Sequence, residues 1–274
     1  MTNAGDDLKD YLREQLRDMA PHRAVLRAVE CRFMAQVPLT SPVLDIGCGD
    51  GHFASIAYDK LPVDIGVDVM VRDLPEAAAR RGVYRQVMFA SGVALPFADR
   101  SFNTVISNCV IEHIPDNRAM LAEISRVLRP GGVFATTLPS EHFGEYLLGA
   151  TLLRKIGLGK LGEGYGAFFN RISNHYHVYP PEEWRRRLAA VGLQVEEHIY
   201  YFSAAAHRRF DLSHYLGVPN LISKRLLGRW MLFDAQRELF ERWLRPFYEE
   251  PLPAAGAYQF LQCRKLEGAG VTKA

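Results

Sequence analysis

A chain of 274 residues is long enough to bury a sizeable core, either as one large domain or as a domain with substantial insertions. Hydrophobic residues make up 48% and charged residues 23% of the chain, which is the composition of a globular protein and not of a disordered or fibrous one. The formal net charge of only +2 excludes a global electrostatic attraction to nucleic acid or to anionic membrane.

Cysteine spacing and the polar N-terminus indicate the cellular location. The cysteines lie far apart and form no C-x-x-C pair, which favours a reducing compartment and argues against a structural zinc site. They are Cys31, Cys48, Cys109 and Cys263. Residues 1–18 lack the apolar core of a signal peptide, and no apolar run is long enough for a transmembrane helix. We therefore expect a cytoplasmic protein without a membrane-spanning segment.

The first predicted elements are two helices in an N-terminal segment, residues 1–38. Apolar residues recur at helical spacing on both sides of Pro21, where the pattern breaks. From residue 43 the pattern changes to short β-branched runs that alternate with helical stretches. Strands are predicted at 43–46, 64–69, 85–90, 101–108 and 133–138, and helices at 51–60, 74–81 and 116–128. The last of these strands is predicted to start after a turn at residues 130–132. This alternation predicts parallel pairing through right-handed crossovers, and therefore a doubly wound α/β sheet.

Two long insertions interrupt the later part of the chain, at residues 140–177 and 204–253. Between and after them, a helix at 180–191 and strands at 193–202 and 258–265 complete the predicted core, which comprises residues 39–139, 178–203 and 254–266. Ligands of doubly wound sheets bind outside the carboxyl ends of the strands. Both insertions leave carboxyl ends, so we expect them to meet there as a helical lid over the substrate. The alternative is that they extend the core or form a dimer interface.

A glycine-rich turn with an acidic rim lies in VLDIGCGDGHF, residues 43–53. Its glycines fit G-x-G-x-G, but His52 stands where a dinucleotide fingerprint needs glycine, and no Gly-Lys-Ser/Thr of a phosphate-binding loop follows. Asp45 and Asp50 would repel a pyrophosphate and attract an ammonium or sulfonium group. S-adenosylmethionine is such a ligand.

Four ordered motifs carry a family resemblance. VLDIGCGDGHF resembles motif I of the class I S-adenosylmethionine-dependent methyltransferases. GVDV (66–69), ALPFADRSFNTVISNCVIEHI (94–114) and RVLRPGG (126–132) are similar to later motifs of that family, so the resemblance covers about residues 40–140. It implies a seven-stranded Rossmann-like sheet, parallel except for the final strand, and it assigns Asp68 to the ribose hydroxyls.

The predicted cofactor-binding residues follow from these motifs. They are Asp45, Gly47, Cys48, Gly49, Asp68, Val69, Ser91, Gly92, Val93 and Asn108. Ser91 departs from the family pattern, which usually has an adenine-contacting aspartate at this position, and Asn103 replaces the aspartate of the SFD motif.

Candidate catalytic and substrate residues follow the fourth strand and lie in the first insertion. His113 is the proposed general base, and its alternative role is a packed histidine that caps the following helix. Some quinone-biosynthesis relatives carry a metal-linked E-x-x-E-H cluster, but Cys109 stands at its first position here, which leaves Glu112 and His113 and favours no metal. Candidate substrate-binding residues are His142, Tyr146, Tyr165, His175 and His177. His207, Arg208, Arg209 and His214 in the second insertion are further candidates for the cavity wall.

These features predict a methyltransferase that acts on a small or medium-sized, partly apolar acceptor, preferably at oxygen. A nucleic-acid methyltransferase is the first alternative, although acids interleave with the arginines of the second insertion and no N-P-P-Y tetrapeptide is present. A non-catalytic binding protein with the same fold is the second alternative. The sequence gives no indication of the oligomeric state.

Overall fold

The computed structural model describes residues 9–58, 62–216, 225–226 and 230–267. Strands of a single sheet within these ranges are β1 (Val43–Ile46), β2 (Val63–Asp68), β3 (Tyr84–Phe89), β4 (Phe102–Asn108), β5 (Leu128–Pro139), β6 (Leu193–Tyr201) and β7 (Tyr258–Lys265). Their order across the sheet is β3-β2-β1-β4-β5-β7-β6. β1 to β3 are added toward one edge of the sheet, and β4 is then added on the other side of β1. The carboxyl ends of β1 and β4 therefore lie at the topological switch point of the sheet.

Strand pairing is parallel everywhere except at β7. β1 pairs in parallel with β2 and β4, and β7 runs antiparallel to both β5 and β6. All four residues of β1 are buried, which is typical of a central strand covered by helices on both faces. The predicted fold class, a doubly wound and mostly parallel seven-stranded sheet, is confirmed.

Helices cover both faces of the sheet and form the insertions. They are α1 (Tyr11–Asp18), α2 (Pro21–Met34), α3 (His52–Ala57), α4 (Leu74–Ala79), α5 (Asn117–Val127), α6 (Phe143–Tyr146), α7 (Leu148–Lys155), α8 (Gly159–Ile172), α9 (Pro181–Ala189), α10 (Ala204–Leu216) and α11 (Asp234–Tyr248). A 3₁₀ turn, Ile111–His113, follows β4. Local sequence explains several of the starts: the Asp116 carboxylate accepts the Ala119 N–H at 3.0 Å to cap α5, and Pro21 and Pro181 occupy first helical positions. None of the helices described has both the length and the apolar character needed to cross a bilayer.

Two predicted boundaries differ from the structure by more than two residues. The turn at 130–132 does not precede β5 but lies within it as a bulge: Leu128 pairs with Phe102 and Val133 with Thr104, while Gly131 takes a φ of 75°. The helix predicted at 51–60 ends at Ala57. Residues 59–61 lie outside the described part of the chain, as do residues 1–8 and 217–224.

The two insertions contact each other. His207 of α10 donates from Nε2 to the Phe143 carbonyl of α6 at 3.0 Å. Asp211 of α10 accepts the Leu148 N–H of α7 at 2.8 Å, which satisfies an amide at the start of that helix. Helix α2 packs beside them, so the N-terminal segment and both insertions lie close together.

Candidate functional site

Three left-handed glycines shape the turn between β1 and α3. Gly47, Gly49 and Gly51 have φ values of 82°, 52° and 74°, which side chains with a Cβ rarely adopt. A Cβ at Gly47 would lie 2.3 Å from Cγ2 of Val110, so this position also needs glycine for space. A Cβ at Gly49 would meet nothing within 4 Å, so the backbone there is open to a ligand.

Asp68 at the end of β2 stabilises this turn through hydrogen bonds to backbone amides. One carboxylate oxygen accepts the Gly49 N–H at 2.8 Å, and the other accepts the Met70 N–H at 2.7 Å. Each carboxylate oxygen has a second lone pair that remains for a ligand hydroxyl. Asp68 therefore joins the second strand to the glycine turn and presents a negative charge beside it.

Asp45 is a buried carboxyl just before the turn, with 8% of its surface exposed. The Tyr84 hydroxyl donates to Oδ2 of Asp45 at 2.6 Å. Burial raises the pKa of Asp45 to about 7, although the hydrogen bond from Tyr84 opposes that shift. The nearby charge of Asp68 adds to the increase in this pKa.

Two empty spaces flank Gly47, and both are bounded by Arg27 and Asn108. A small cavity of 140 Å³ lies on the side of Asp45, Cys48, Gly49 and Asp50. A crevice of 440 Å³ lies on the other side. Predicted cofactor residues on the wall of this crevice are Gly47, Asp68, Val69, Gly92 and Asn108. The described residues that line either space do not include Ser91 or Val93.

A buried glutamate of α2 connects the helix to the strands beneath it. Oε2 of Glu30 accepts from Arg27 at 2.6 Å and from the Asn108 amide at 3.0 Å. Its Oε1 accepts from the Tyr201 hydroxyl and the Cys109 thiol, both at 3.3 Å. The negative charge of Glu30 raises the pKa of Arg27 above its ordinary value, although burial of the guanidinium alone would lower it. This Glu30 cluster fixes Arg27 at the point where the cavities meet.

A third space of 460 Å³, which we call the aromatic cavity, opens between α2 and the two insertions. Its apolar wall is formed by Leu26, Phe143, Leu147, Phe169, Ile172, Phe210 and Tyr258, and its polar wall by Arg23, Arg27, His113, Ser173, His175, Asp211 and His214. Because His113 and Arg27 line both the aromatic cavity and the crevice, the two spaces meet beside these side chains.

His113 lies at this junction in the 3₁₀ turn after β4. Its Nδ1 donates to the Asn174 carbonyl at 3.2 Å, which leaves a lone pair on Nε2. Partial burial lowers the pKa of His113, and the hydrogen bond to Asn174 opposes that shift. His175 lies beside it, with 5.3 Å between the ring centres, and burial lowers the pKa of His175 to about 4. Glu112, the residue before His113, is fully enclosed, and burial raises its pKa to about 8.

The structure brings only one of the five candidate substrate residues to the aromatic cavity. His175 lines it, whereas the described lining residues do not include His142, Tyr146, Tyr165 or His177. His142 stacks on Tyr146, with 5.1 Å between the ring centres. Tyr165 contacts a residue of the cavity wall, because its hydroxyl donates to Asp211 at 3.4 Å. His177 instead donates from Nε2 to the Ile114 carbonyl at 2.9 Å. His177 therefore holds backbone, whereas His175 lines the cavity.

The polar side chains of α2 were not predicted as part of the site. Arg23, Arg27 and Glu30 were not selected, because the segment was interpreted from its apolar periodicity alone. One feature would have indicated them: Arg27 and Glu30 are three residues apart, and Glu30 falls among the apolar residues Leu26, Val29 and Phe33. A charged residue in such a position is buried with a partner.

Comparison with known proteins identifies the class to which this fold and site belong. A family model described as a methyltransferase domain matches residues 11–198. The chain belongs to this family of methyltransferase domains, as the motifs predicted.

Curated relatives share the central part of the chain. An uncharacterized methyltransferase of Mycobacterium sp. (strain JLS) is 38% identical over 111 residues, which cover 40% of this chain and 44% of that protein. A protein of Mycolicibacterium smegmatis named as a probable S-adenosylmethionine-dependent methyltransferase is 38% identical over 100 residues, or 36% of this chain and 38% of that protein. The matches thus span less than half the length of these relatives. S-adenosylmethionine is the cofactor of the family, which agrees with the predicted cofactor.

Solved structures share the fold over most of the chain. A chain in the complex of the Haloferax volcanii Trm112 methyltransferase activator with a methyltransferase has a TM-score of 0.57 at 17% identity, and the match covers 92% of this chain and 95% of that one. A sarcosine dimethylglycine methyltransferase candidate from Galdieria sulphuraria has a TM-score of 0.54 at 17% identity, with 89% and 86% covered. At such identity the likeness shows the Rossmann-like fold alone.

Proposed function

We propose that this protein transfers a methyl group from S-adenosylmethionine to a small or medium-sized, partly apolar acceptor, at an oxygen atom. One observation carries the proposal: the crevice beside Asp68 and the aromatic cavity meet at Arg27 and His113. Two adjoining spaces, one with the features of a cofactor site and one mostly apolar, are the arrangement that a two-substrate transfer requires.

The residues around the glycine turn fit the cofactor. Asp68 has lone pairs available for the ribose hydroxyls, and apolar side chains of the crevice, Val69, Ile114 and Met120, suit the adenine ring. Asp45 in the small cavity suits the ammonium group. Arg23 lines the same cavity and has no ion pair or hydrogen bond within the described ranges, so we assign it to the carboxylate. When bound, S-adenosylmethionine supplies an electrophilic methyl group on a sulfonium centre.

The aromatic cavity supports an acceptor with an apolar body. Its volume of 460 Å³ falls in the range of small-molecule sites. Half of its lining residues are apolar, and they come from α2, both insertions and β7. We therefore assign residues 140–177 and 204–253 to a lid that shapes the acceptor site and excludes water from it.

His113 is the residue that we propose to take the proton of an acceptor hydroxyl. Its Nδ1 hydrogen points to the Asn174 carbonyl, and the lone pair of Nε2 is the proton acceptor. Removing the proton as the new bond forms makes the oxygen a stronger nucleophile.

Because the described cysteines are all free thiols, we place the reaction in the reducing cytoplasm.

The experiment that tests the cofactor assignment is a calorimetric titration with S-adenosylhomocysteine. Asp68→Asn keeps the shape of the side chain but removes its charge, so we expect binding to weaken by about 1–3 kcal/mol. Glu76→Gln is the matched control, because Glu76 is an exposed acid on α4 that pairs with Arg80. Equal affinity of Asp68→Asn and the control would contradict the ribose assignment.

A transfer assay tests the acceptor class. The protein is incubated with methyl-labelled S-adenosylmethionine and matched panels of apolar alcohols, phenols and amines. We expect label in hydroxyl compounds, and a decrease of at least about 100-fold in the His113→Gln variant. Label in amines alone would overturn the assignment to oxygen.

A further inference from the structure

Three potential metal ligands converge where the crevice meets the aromatic cavity. Glu112, His113 and His175 each bring one donor atom to within 4.8 Å of the other two. The first two belong to the 3₁₀ turn after β4, and the third follows α8 in the first insertion. We propose that these side chains bind a divalent transition-metal ion through two imidazole nitrogens and one carboxylate oxygen.

Both imidazoles are held in the tautomer that leaves Nε2 free to bind a metal ion. Nδ1 of His113 donates to the Asn174 carbonyl at 3.2 Å, and Nδ1 of His175 donates to Oδ1 of Asn170 at 3.1 Å. Each ring therefore carries its hydrogen on Nδ1 and a lone pair on Nε2. Metal-binding histidines are typically oriented by a hydrogen bond of this kind from the other ring nitrogen to a carbonyl or carboxylate oxygen.

The carboxylate of Glu112 is an independent indication of a ligand. Its side chain is 1% exposed, and its Oε2 has no hydrogen-bond partner among the residues described. Buried oxygens of this kind normally have a partner, since desolvation without compensation is costly. Oε1 of the same carboxylate lies 3.7 Å from Nε2 of His113. A bound cation would satisfy this carboxylate.

Backbone contacts hold the two ligand-bearing segments together. The Tyr176 N–H donates to the Glu112 carbonyl at 2.8 Å, and Nε2 of His177 donates to the Ile114 carbonyl at 2.9 Å. Ligand atoms around a tetrahedral zinc ion lie roughly 3.3 Å apart. Glu112 and His113 are 3.7 Å apart at Oε1 and Nε2, and the other ligand atoms lie within 4.8 Å, so side-chain rotations could bring the three onto one ion.

Two arginines lie near these ligands. Arg27 lines both spaces and is paired with Glu30 at 2.6 Å, and Arg23 adds a second positive charge on the wall of the aromatic cavity, so an ion would be held by its ligands and not by a net negative field. Two neutral imidazoles and a carboxylate suit Zn²⁺, Co²⁺, Mn²⁺ or Fe²⁺ better than Mg²⁺ or Ca²⁺, which prefer oxygen ligands.

The position of the site suggests what the ion does. Because His113 and His175 line the aromatic cavity, free coordination positions would face the acceptor. This step rests on the proposed function: the ion would lower the pKa of an acceptor hydroxyl, which would release its proton to solvent as the acceptor enters the cavity and binds the ion. The ion would then replace His113 as the activating group. The acceptor would be a molecule whose oxygen can coordinate a metal.

Metal binding is tested with the full chain, purified without a histidine tag and treated with chelator. Co²⁺ is titrated and followed by visible absorption, and Zn²⁺ binding is measured by calorimetry. We expect one ion per chain, and a loss of at least about 10-fold in affinity for His175→Ala and for Glu112→Gln. His142→Gln is the matched control, because His142 also lies near two carboxylates, Glu141 and Glu145, each at 3.5 Å.

The outcomes separate this inference from the proposed function. Titration of S-adenosylhomocysteine in the same preparations shows whether a variant is folded and whether the cofactor site works. Absence of Co²⁺ and Zn²⁺ binding in a protein that binds S-adenosylhomocysteine would overturn the metal site and leave His113 as the proposed base. Equal metal affinity of His175→Ala and His142→Gln would also overturn it. Metal binding without S-adenosylhomocysteine binding would instead contradict the proposed function.

Discussion

At the scale of single residues, Asp45 is a buried carboxyl that we propose to contact the ammonium group of the cofactor. Its carboxyl group is enclosed beneath the glycine turn, where Tyr84 donates to it at 2.6 Å, and burial raises its pKa to about 7. A carboxyl with such a pKa is half protonated at neutral pH. Its attraction for an ammonium group therefore depends on pH.

We expect affinity for S-adenosylhomocysteine to rise with pH and to level off above pH 7. Below the pKa of about 7, the free protein holds a proton on Asp45, and binding of the ammonium group must release it. Affinity should thus fall by up to about tenfold for each pH unit below the pKa. Calorimetry over a pH series in buffers of different ionisation enthalpy would measure both the affinity and the released proton.

Two variants test the assignment of this pH dependence to Asp45. Asp45→Asn has no titrating group and should give a flat profile. Tyr84→Phe removes the hydrogen bond that favours the ionised carboxylate, so the midpoint should move to higher pH. A flat profile in the unmodified protein would show that Asp45 does not meet the ammonium group.

Some residues of the candidate site could be placed together from the sequence, and others could not. Asp45, Gly47 and Asp68 were predictable, since one strand–turn–helix unit and the next strand place them together through local spacing. His175 reaches His113 only through the packing of the first insertion, with 5.3 Å between their ring centres. No periodicity in one sequence encodes such a contact, so His175 could be selected as a substrate candidate but could not be placed beside Glu112 and His113.

At the scale of elements, helix α8 forms despite four glycines in its sequence GKLGEGYGAFFNRI. Isolated glycines weaken a helix, so helix propensity alone does not predict one here. Tertiary contacts explain it: a Cβ at Gly162 would lie 2.8 Å from the Ala150 carbonyl oxygen, and a Cβ at Gly166 equally close to the Gly144 carbonyl oxygen. Glycine allows α8 to pack directly against the backbone of α6 and α7.

Alanine substitutions in α8 should therefore have opposite effects. Gly164→Ala meets nothing within 4 Å, so it should stabilise the protein by about 0.5–1 kcal/mol through helix propensity. Gly162→Ala would force a methyl group against a backbone carbonyl, and we expect a loss of about 1–3 kcal/mol. Urea denaturation measures both changes. Equal effects of the two substitutions would contradict the close packing of α7 and α8.

At the scale of the whole molecule, the Glu30 cluster connects the N-terminal segment to the sheet. Glu30 of α2 bonds to Asn108 at the end of β4, to Cys109 after it and to Tyr201 at the end of β6. Residues at the C-terminal ends of β4 and β6, which are distant in sequence, thus donate hydrogen bonds to the same buried side chain. The sequence predicted that α2 is a helix, but it did not predict that Arg27 of this helix lines both the crevice and the aromatic cavity.

A double-mutant cycle on Glu30 and Arg27 tests this connection. Glu30 is fully buried and Arg27 is 18% exposed, so Glu30→Gln leaves a guanidinium without its counter-charge and should cost roughly 3 kcal/mol of stability. Arg27→Gln leaves the carboxylate unpaired and should cost a similar amount. The double variant should lose less than the sum, with a coupling energy of about 1–3 kcal/mol in urea denaturation.

The exposed pair Glu14 and Arg17 is the matched control for this cycle. It has the same three-residue spacing and an N–O distance of 2.9 Å, but its side chains are 31% and 56% exposed. Solvent screens such a pair, so its coupling energy should stay below about 0.5 kcal/mol. If the Glu30 pair couples no more strongly than this control, burial does not strengthen the contact. The cluster would then not be what holds α2 over the carboxyl ends of the sheet.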